Sequence, residues 1–332
     1  MCDAIVSIIV PCYNVAKTLS RFLDSVMKQT YQNIQVIAVN DGSTDGTENI
    51  LKKYQQFFLQ KGMVFDYIYQ DNQGLGAAIN TGLKYIKGDY LCWADPDDFF
   101  VETSIQERIE ILENNDEYDI VSSDAYYYKF NDLNNPVQRA TDGLIHKDDP
   151  NQFEYLLFEQ SHFCSGCHML RMSAFDKVNP NREIFPAKRG QNWQLLLPMY
   201  YKYHRYYLDK PLYNYILYPN SMSRGDSDLV SVVLRLNEHE TILVETINKI
   251  DMEIDEKKKY LNLVKIRYAK KRFYAAIDFR NKRVLKKSFL ELKSLSALNS
   301  DICRLYLRNK FMIFKVIFKS IDKVKKVKRS NL

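Results

Sequence analysis

Through the first 125 residues, short apolar runs alternate with stretches whose apolar residues fall at helical spacing. "IVSIIV" (5–10) is β-branched and ends at Pro11; "AKTLSRFLDSVMKQ" (16–29) places Leu19, Phe22, Leu23 and Val26 on one helical face. "IQVIAVN" (34–40), "MVFDYIYQ" (63–70), "DYLCWA" (89–94) and "YDIVSSD" (118–124) read as further strands. "TDGTENILKKYQQFFLQ" (44–60), "GLGAAINTGLKYI" (74–86) and "ETSIQERIEILENN" (102–115) read as the helices between them, with Thr44 or Asp45 as an N-cap. This alternation specifies an α/β fold with a mostly parallel sheet flanked by helices. Parallel strands are covered on both faces, which fits their unbroken apolar runs. Ligands of such sheets bind beyond the carboxyl ends of the strands. Here those ends are Pro11-Cys12-Tyr13-Asn14, Asn40-Asp41-Gly42-Ser43 and Asp95-Pro96-Asp97-Asp98. The topology predicts that all three gather at one edge.

Beyond 126 the pattern loosens. "GCHMLRM" (166–172) and "LYNYILYP" (212–219) read as strands, and "NWQLLLPMYYKY" (192–203) as a helix containing a proline. From 227 onward the chain reads as helical. The expected division is an α/β domain over 1–225 and a helical C-terminal region over 226–332.

The net charge of +6 is uneven. Residues 301–332 hold ten Lys or Arg against two Asp, and the other 300 residues carry 37 basic and 39 acidic groups. The body therefore offers no general case for nucleic-acid binding. Six cysteines without a disulfide framework, and a first segment that reads as a strand rather than a leader, predict a cytoplasmic setting. No stretch of about 18 uncharged apolar residues predicts a membrane span.

Asp95, Asp97 and Asp98 crowd three carboxylates at a strand end, which is costly without a compensating cation or protons. A hard divalent cation such as Mg²⁺ or Mn²⁺, held by one or two carboxylates and a diphosphate, suits that cluster. The alternative is an acidic loop capping the next helix. Asp41 in "VNDGSTDGT" is either an ordinary Asp-Gly turn or an acceptor for a nucleobase or ribose. "QDNQGLGAAIN" (70–80) is Gly-rich at a strand–helix junction without being a dinucleotide fingerprint.

Together "SIIVPCYN", "QTYQNIQVIAVNDGSTDGT", "QDNQGLGAAINTGL" and "GDYLCWADPDDFF", in this order and spacing over about 4–225, resemble the family 2 glycosyltransferases of the GT-A fold. The resemblance implies a nucleotide diphosphate sugar donor, with Pro11, Tyr13 and Asp41 at the nucleoside and Asp95 also in the donor site. It implies that Asp97 and Asp98 hold the divalent cation. It further implies inversion at the anomeric carbon, a glycan or lipid-linked acceptor, and a role in cell-surface polysaccharide assembly. A catalytically weak nucleotide-sugar-binding scaffold and a nucleotidyltransferase are the rival readings.

Three positions depart from the family pattern. Asn40 stands where an acid is usual, and Ile79 where an arginine often precedes the asparagine matching Asn80. In "RGQNWQ" (189–194), Gln191 and Asn192 replace an acidic pair that includes the general base. An amide is no Brønsted base near neutral pH. Either His162, His168 or Asp124 takes that role while Gln191 and Asn192 position the acceptor, or phosphate oxygens share the proton work, or the chain binds without turnover. "CSGCH" (164–168) matches a haem-attachment pattern but suits buried packing better, and a zinc site lacks its second pair. Trp93 and Trp193 read as core, with Trp193 stacking on an acceptor as the alternative.

In the tail, Leu307, Phe311, Phe314, Phe318 and Ile321 share one helical face, with Lys315, Lys319 and Lys326 off it. That pattern fits an interfacial helix on anionic lipid and hence a peripheral place at the inner face of the cell membrane. It also fits a last helix packed on the body.

Overall fold

The computed structural model describes residues 3–219 and 226–310. Two compact units divide the chain: Met1–Ser221 with Glu245–Asp251, and Met222–Val244 with Met252–Leu332.

In the first unit the expected alternation appears. It runs β1 (Val6–Cys12), α1 (Leu19–Met27), β2 (Ile34–Asp41), α2 (Thr47–Gln60), β3 (Val64–Gln70), α3 (Leu75–Lys84) and β4 (Tyr90–Trp93). Then follow β5 (Phe99–Phe100), α4 (Ser104–Asn114), β6 (Ile120–Lys129), β7 (Gln138–Arg139), α5 (Phe153–Leu157), β8 (His168–Arg171), α6 (Met172–Val178), α7 (Gln191–Lys202) and β9 (Arg205–Leu217). The sheet order is β3-β2-β1-β4-β8-β6-β9-β5, with β7 on β6. The β3-β2-β1-β4 half is wholly parallel. Beyond β4 the sheet is mixed: β8 runs antiparallel to β4 and β6, β5 to β9 and β7 to β6, while β6 and β9 are parallel.

β1 and β2 are buried at every position, as their apolar runs require. α1 buries Leu19, Phe22, Leu23 and Val26, the four residues its spacing singles out. Each such side chain contributes roughly 2 kcal/mol on leaving water. α2 begins later than its sequence suggests, with Gly46 at the cap position. Asp45 still serves the helix start, accepting from Thr47 N at 3.0 Å.

The second unit is helical: α8 (Leu229–Lys249) contributes residues to both units, followed by α9 (Ile254–Asp278), α10 (Lys282–Ser294) and α11 (Ser300–Lys310). Phe273, Leu285, Leu292, Ile302 and Tyr306 form its core, and Phe289 stacks on Tyr306 at 3.9 Å. Buried Arg272 is held by Glu240 at 2.5 Å, Glu291 at 2.7 Å and Asn237 at 3.0 Å. Among the described residues no helix is long and apolar enough to cross a membrane. Of the tail stripe, Leu307 lies on α11 and is 36 % exposed. Phe311, Phe314, Phe318, Ile321 and the lysines opposite them lie outside the described residues.

Candidate functional site

The sheet order reverses at β1, whose chain continues to β2 on one side while β4 returns on the other. The register sets Cys12 beside Asn40, Asp41 beside Gln70, and Ile9 beside Trp93. The three strand ends thus share one edge at the switch point, where open α/β sheets bind their ligands. The β1 and β2 loops are stitched together: Asn14 N donates to Ser43 Oγ at 3.0 Å and Thr44 N to Asn14 Oδ1 at 2.8 Å. Pro11 is buried in the end of β1, while Tyr13, just beyond it, is 52 % exposed.

Asp41 is nearly saturated by the protein. Its Oδ1 accepts from Gln70 Nε2 at 2.7 Å and Gln73 N at 2.9 Å, and its Oδ2 from Gly74 N at 2.8 Å. A carboxylate accepts about four hydrogen bonds, so one position is left for a ligand donor. Asn40, in the place of a family acid, needs both ends of its amide. Oδ1 accepts from Ser43 N at 3.0 Å and Nδ2 donates to the Tyr67 hydroxyl at 3.3 Å. Asn80 pins the approach to α7 through paired bonds with Ile184, at 2.7 and 2.9 Å, and neighbouring Ile79 is core.

The aspartates cap no helix, because α4 starts at Ser104 with Thr103 at its cap position. Asp98 N turns back onto Asp95 O at 3.2 Å. Asp95 accepts from Ser165 Oγ at 2.5 Å. Asp98 is 1 % exposed; its Oδ1 accepts from Ile216 N at 2.8 Å, and Oδ2 has no hydrogen-bond partner. Burial, then the neighbouring Asp97 and Asp95 carboxylates, push Asp98 well above the ordinary carboxylate range. Burial, then Asp97, raises Asp95 to about 6. Burial raises Asp97 as well, and the Arg21 charge draws it part of the way back. Sequence reasoning missed Arg21: from α1 its guanidinium donates to Asp97 O and to the Tyr218 hydroxyl and lies over the Phe99 ring.

It also missed Ser165, which sits in the cysteine-flanked loop under β4. Gly166 N donates to Trp93 O at 2.6 Å, and buried Arg108 donates to Gly166 O at 2.7 Å. Cys164 and Cys167 are buried, as the packing reading expects. His168, fully buried, stacks on Trp93 and donates from Nδ1 to Cys164 O at 3.0 Å, leaving Nε2 bare. Burial holds its imidazole well below the usual 6.5. A histidine depressed by folding takes up its proton preferentially in the unfolded chain, so stability is complete above the unfolded value and falls as pH drops below it. The loss reaches on the order of 1 kcal/mol one pH unit below the unfolded imidazole's value. Denaturant titrations across that range should show this slope, and His168→Gln should flatten it.

α7 is preceded at its cap position by Gly190, in a left-handed conformation with φ 77°, and its first turn has neither a side-chain cap nor an acid. Asn192 Oδ1 accepts from Trp93 Nε1 at 2.6 Å. An indole nitrogen only donates, so the amide's orientation is fixed and its NH₂ faces away from Trp93. Gln191 is 8 % exposed. Trp193 is core, against Phe163, rather than a stacking platform. None of the three proposed bases is presented to a substrate. Asp124 is wholly buried and saturated by Thr141, Arg139 and the N–H of Ala125. His162 is buried with Nε2 on Ser123 O, and His168 lies beneath Trp93.

Among the described residues no three His, Cys, Asp or Glu side chains group as a self-sufficient metal site. One or two carboxylates completed by ligand phosphates are what Mg²⁺ and Mn²⁺ commonly use. The orphaned Asp98 Oδ2, beside two carboxylates that raise its pKa, fits that arrangement.

Glycosyltransferase GlyA of Streptococcus pneumoniae is 30 % identical over 240 residues, 67 % of this chain and 32 % of that protein. The chain covers only 19–35 % of the length of the curated relatives it matches first. Among solved structures, S. aureus TarS in complex with UDP-GlcNAc aligns with a TM-score of 0.63 at 17 % identity, covering 96 % of this chain and 91 % of that one. The mannosyltransferase of Pyrobaculum calidifontis, in complex with GDP-Man and Mn²⁺, gives a TM-score of 0.50 at 14 % identity over 94 % of this chain and 82 % of that one. These likenesses show the GT-A type fold. The model of glycosyl transferase family 2 matches residues 7–178, just over half of the sequence, and the chain belongs to that family.

Proposed function

We propose that this protein transfers a sugar from a nucleotide diphosphate donor to a hydroxyl of a glycan or lipid-linked acceptor, with inversion and with help from a divalent cation, in cell-surface polysaccharide synthesis. The observation that carries this reading is the convergence of three strand ends on one edge, with an unpartnered buried carboxylate oxygen among the aspartates. Tyr13 offers its ring to the base, and Pro11 shapes the strand end beneath. Asp41 holds the β3–α3 turn and keeps one acceptor position for the nucleoside. Asp95, Asp97 and Asp98 hold the cation and diphosphate. When bound, the cation offsets the charge gathering on the departing diphosphate. Gln191 and Asn192 orient the acceptor; the proton of its hydroxyl leaves to phosphate oxygens, because α7 presents no carboxylate. Domain roles follow: residues 1–225 carry donor binding and transfer, and residues 226–332, with their basic tail, hold the protein at an anionic membrane surface on the cytoplasmic side.

A thermal-shift screen of nucleotide sugars with and without Mn²⁺ tests this, since a ligand bound only by the native state raises the melting point. UDP-GlcNAc and GDP-Man head the screen because the solved relatives hold them. A cation-dependent shift followed by release of nucleoside diphosphate supports transfer. Binding without turnover across acceptors would favour the scaffold, and release of pyrophosphate the nucleotidyltransferase.

Arg21 supplies a sharper check. It anchors the Asp97 carbonyl and carries a positive charge that helps to lower Asp97. Losing a charge-assisted hydrogen bond costs about 2 kcal/mol. Arg21→Met should therefore lower turnover at saturating Mn²⁺ by about tenfold or more, with Arg21→Lys in between.

A further inference from the structure

We infer that Cys164 and Cys167 form a modification site, a dithiol that a hydroperoxide closes into a disulfide, and that this bond parts Ser165 from Asp95. The site itself stands apart from the transfer reading above; its effect on turnover rests on that reading. The two cysteines end a four-residue turn centred on Ser165 and Gly166, and Cys167 N donates to Cys164 O across it at 3.4 Å. Gly166 supplies the φ of 63° that the turn requires. The ends of such a turn lie within about 7 Å of each other, and a disulfide spans about 4.4–6.8 Å between Cα atoms. Both thiols are free, and they hydrogen-bond each other. Cys164 is 9 % exposed and Cys167 not at all, so an oxidant arriving from solvent meets Cys164 first. Burial alone would raise the Cys167 thiol, but hydrogen bonds with Cys164 and His162 hold it below its ordinary value. Cys167 is thus the readier thiolate, placed behind the sulfur that is reached first.

The Cys164 sulfur attacks one oxygen of hydrogen peroxide. The O–O bond breaks, and the hydroxide set free takes the Cys164 proton and leaves as water. Cys164 is now a sulfenic acid, which condenses with a neighbouring thiol. The Cys167 thiolate attacks the Cys164 sulfur, the S–O bond breaks, and the departing hydroxide takes the proton that Cys167 gave up. The thiol pair has lost two electrons, and one peroxide has become two waters. The new bond draws in the ends of a turn that is pinned elsewhere. Gly166 N donates to Trp93 O at 2.6 Å, and Arg108 donates to Gly166 O at 2.7 Å. Ser165, between the sulfurs, is left to move, and its Oγ is what holds Asp95, at 2.5 Å.

The full-length protein is reduced, desalted and exposed to hydrogen peroxide in EDTA, so that no bound metal directs the oxidation. Alkylation after unfolding, with peptide mapping by mass spectrometry, is expected to find Cys164 and Cys167 bridged, and dithiothreitol should free them. Turnover with donor and Mn²⁺, measured after peroxide and EDTA are removed, should fall about tenfold, the effect of losing a hydrogen bond to a charged group. Dithiothreitol should restore it. Cys164→Ser and Cys167→Ser, each compared with itself before and after peroxide, should keep their turnover. Full alkylation of both cysteines after peroxide, or separate sulfinic acids with no bridge, would overturn the site. A bridged protein that turns over as fast as the reduced one, or a serine variant that loses as much to peroxide as the native chain, would overturn its hold on Asp95. If the reduced protein releases no nucleoside diphosphate from any donor, the transfer reading falls, and the peptide map alone decides the site.

Discussion

Asp98→Asn should yield a protein that is as stable as the native one, or more so, and that barely turns over its donor. The carboxylate is buried beside two others, with one oxygen unpartnered. Like charges at this spacing are unfavourable until a cation arrives. An asparagine keeps the oxygen that accepts from Ile216 N and puts an NH₂ where the orphaned Oδ2 was. The neutral amide also removes one of the charges that the neighbouring Asp95 and Asp97 carboxylates oppose. In EDTA, the melting point should therefore hold or rise. Turnover, read as released nucleoside diphosphate at saturating Mn²⁺, should fall by about 10²–10³, the usual effect of removing one preorganised electrostatic group. A purely structural aspartate would behave oppositely, losing stability and sparing turnover. Activity within about tenfold of native would remove Asp98 from the donor site.

Much of that site is legible in the sequence because it sits where periodicity changes. Each parallel strand announces its end by leaving an apolar run, and a parallel sheet brings successive carboxyl ends to one edge. So Pro11, Asp41 and Asp95 could be grouped before any coordinates. Arg21 and Ser165 could not. They reach the aspartates across 76 and 70 residues of sequence, and no local pattern marks that. β5, only Phe99–Phe100, is too short to show a period. β9 was readable only from Leu212 because Asp209-Lys210-Pro211 breaks its first half. The register with β6 shifts at Ser123/Asp124 and again at Asp124/Ala125, and Pro211, opposite Asp124, has no N–H to give the ladder. The amides at 191 and 192 were visible as a departure. The orientation of the Asn192 amide depends on an indole 99 residues away.

The cysteine-flanked loop shows how a segment that reads as packing can govern the chemistry, and Gly166→Ala should expose it. Gly166 has φ 63°, and a Cβ there would come within 2.2 Å of the ring of Tyr213. That ring cannot step aside freely: it is fully buried, lies edge-on to Phe100 at 5.1 Å, and sends its hydroxyl to Asp95 O at 3.4 Å. Left-handed strain of about 1 kcal/mol adds to overpacking of about 2 kcal/mol. A unit of this size should then melt about 10 °C lower. The loop must also shift against Trp93 and Arg108, which bind its N–H and carbonyl. Ser165 moves with it and releases Asp95. Turnover should drop even well below the variant's melting point. Ser165→Ala separates the two effects, because it deletes the hydrogen bond to Asp95 without straining the backbone. It should cost only about 1 kcal/mol of stability and still lower turnover. If Ser165→Ala turns over normally while Gly166→Ala does not, the loop acts through the fold alone and Asp95 needs no help from it.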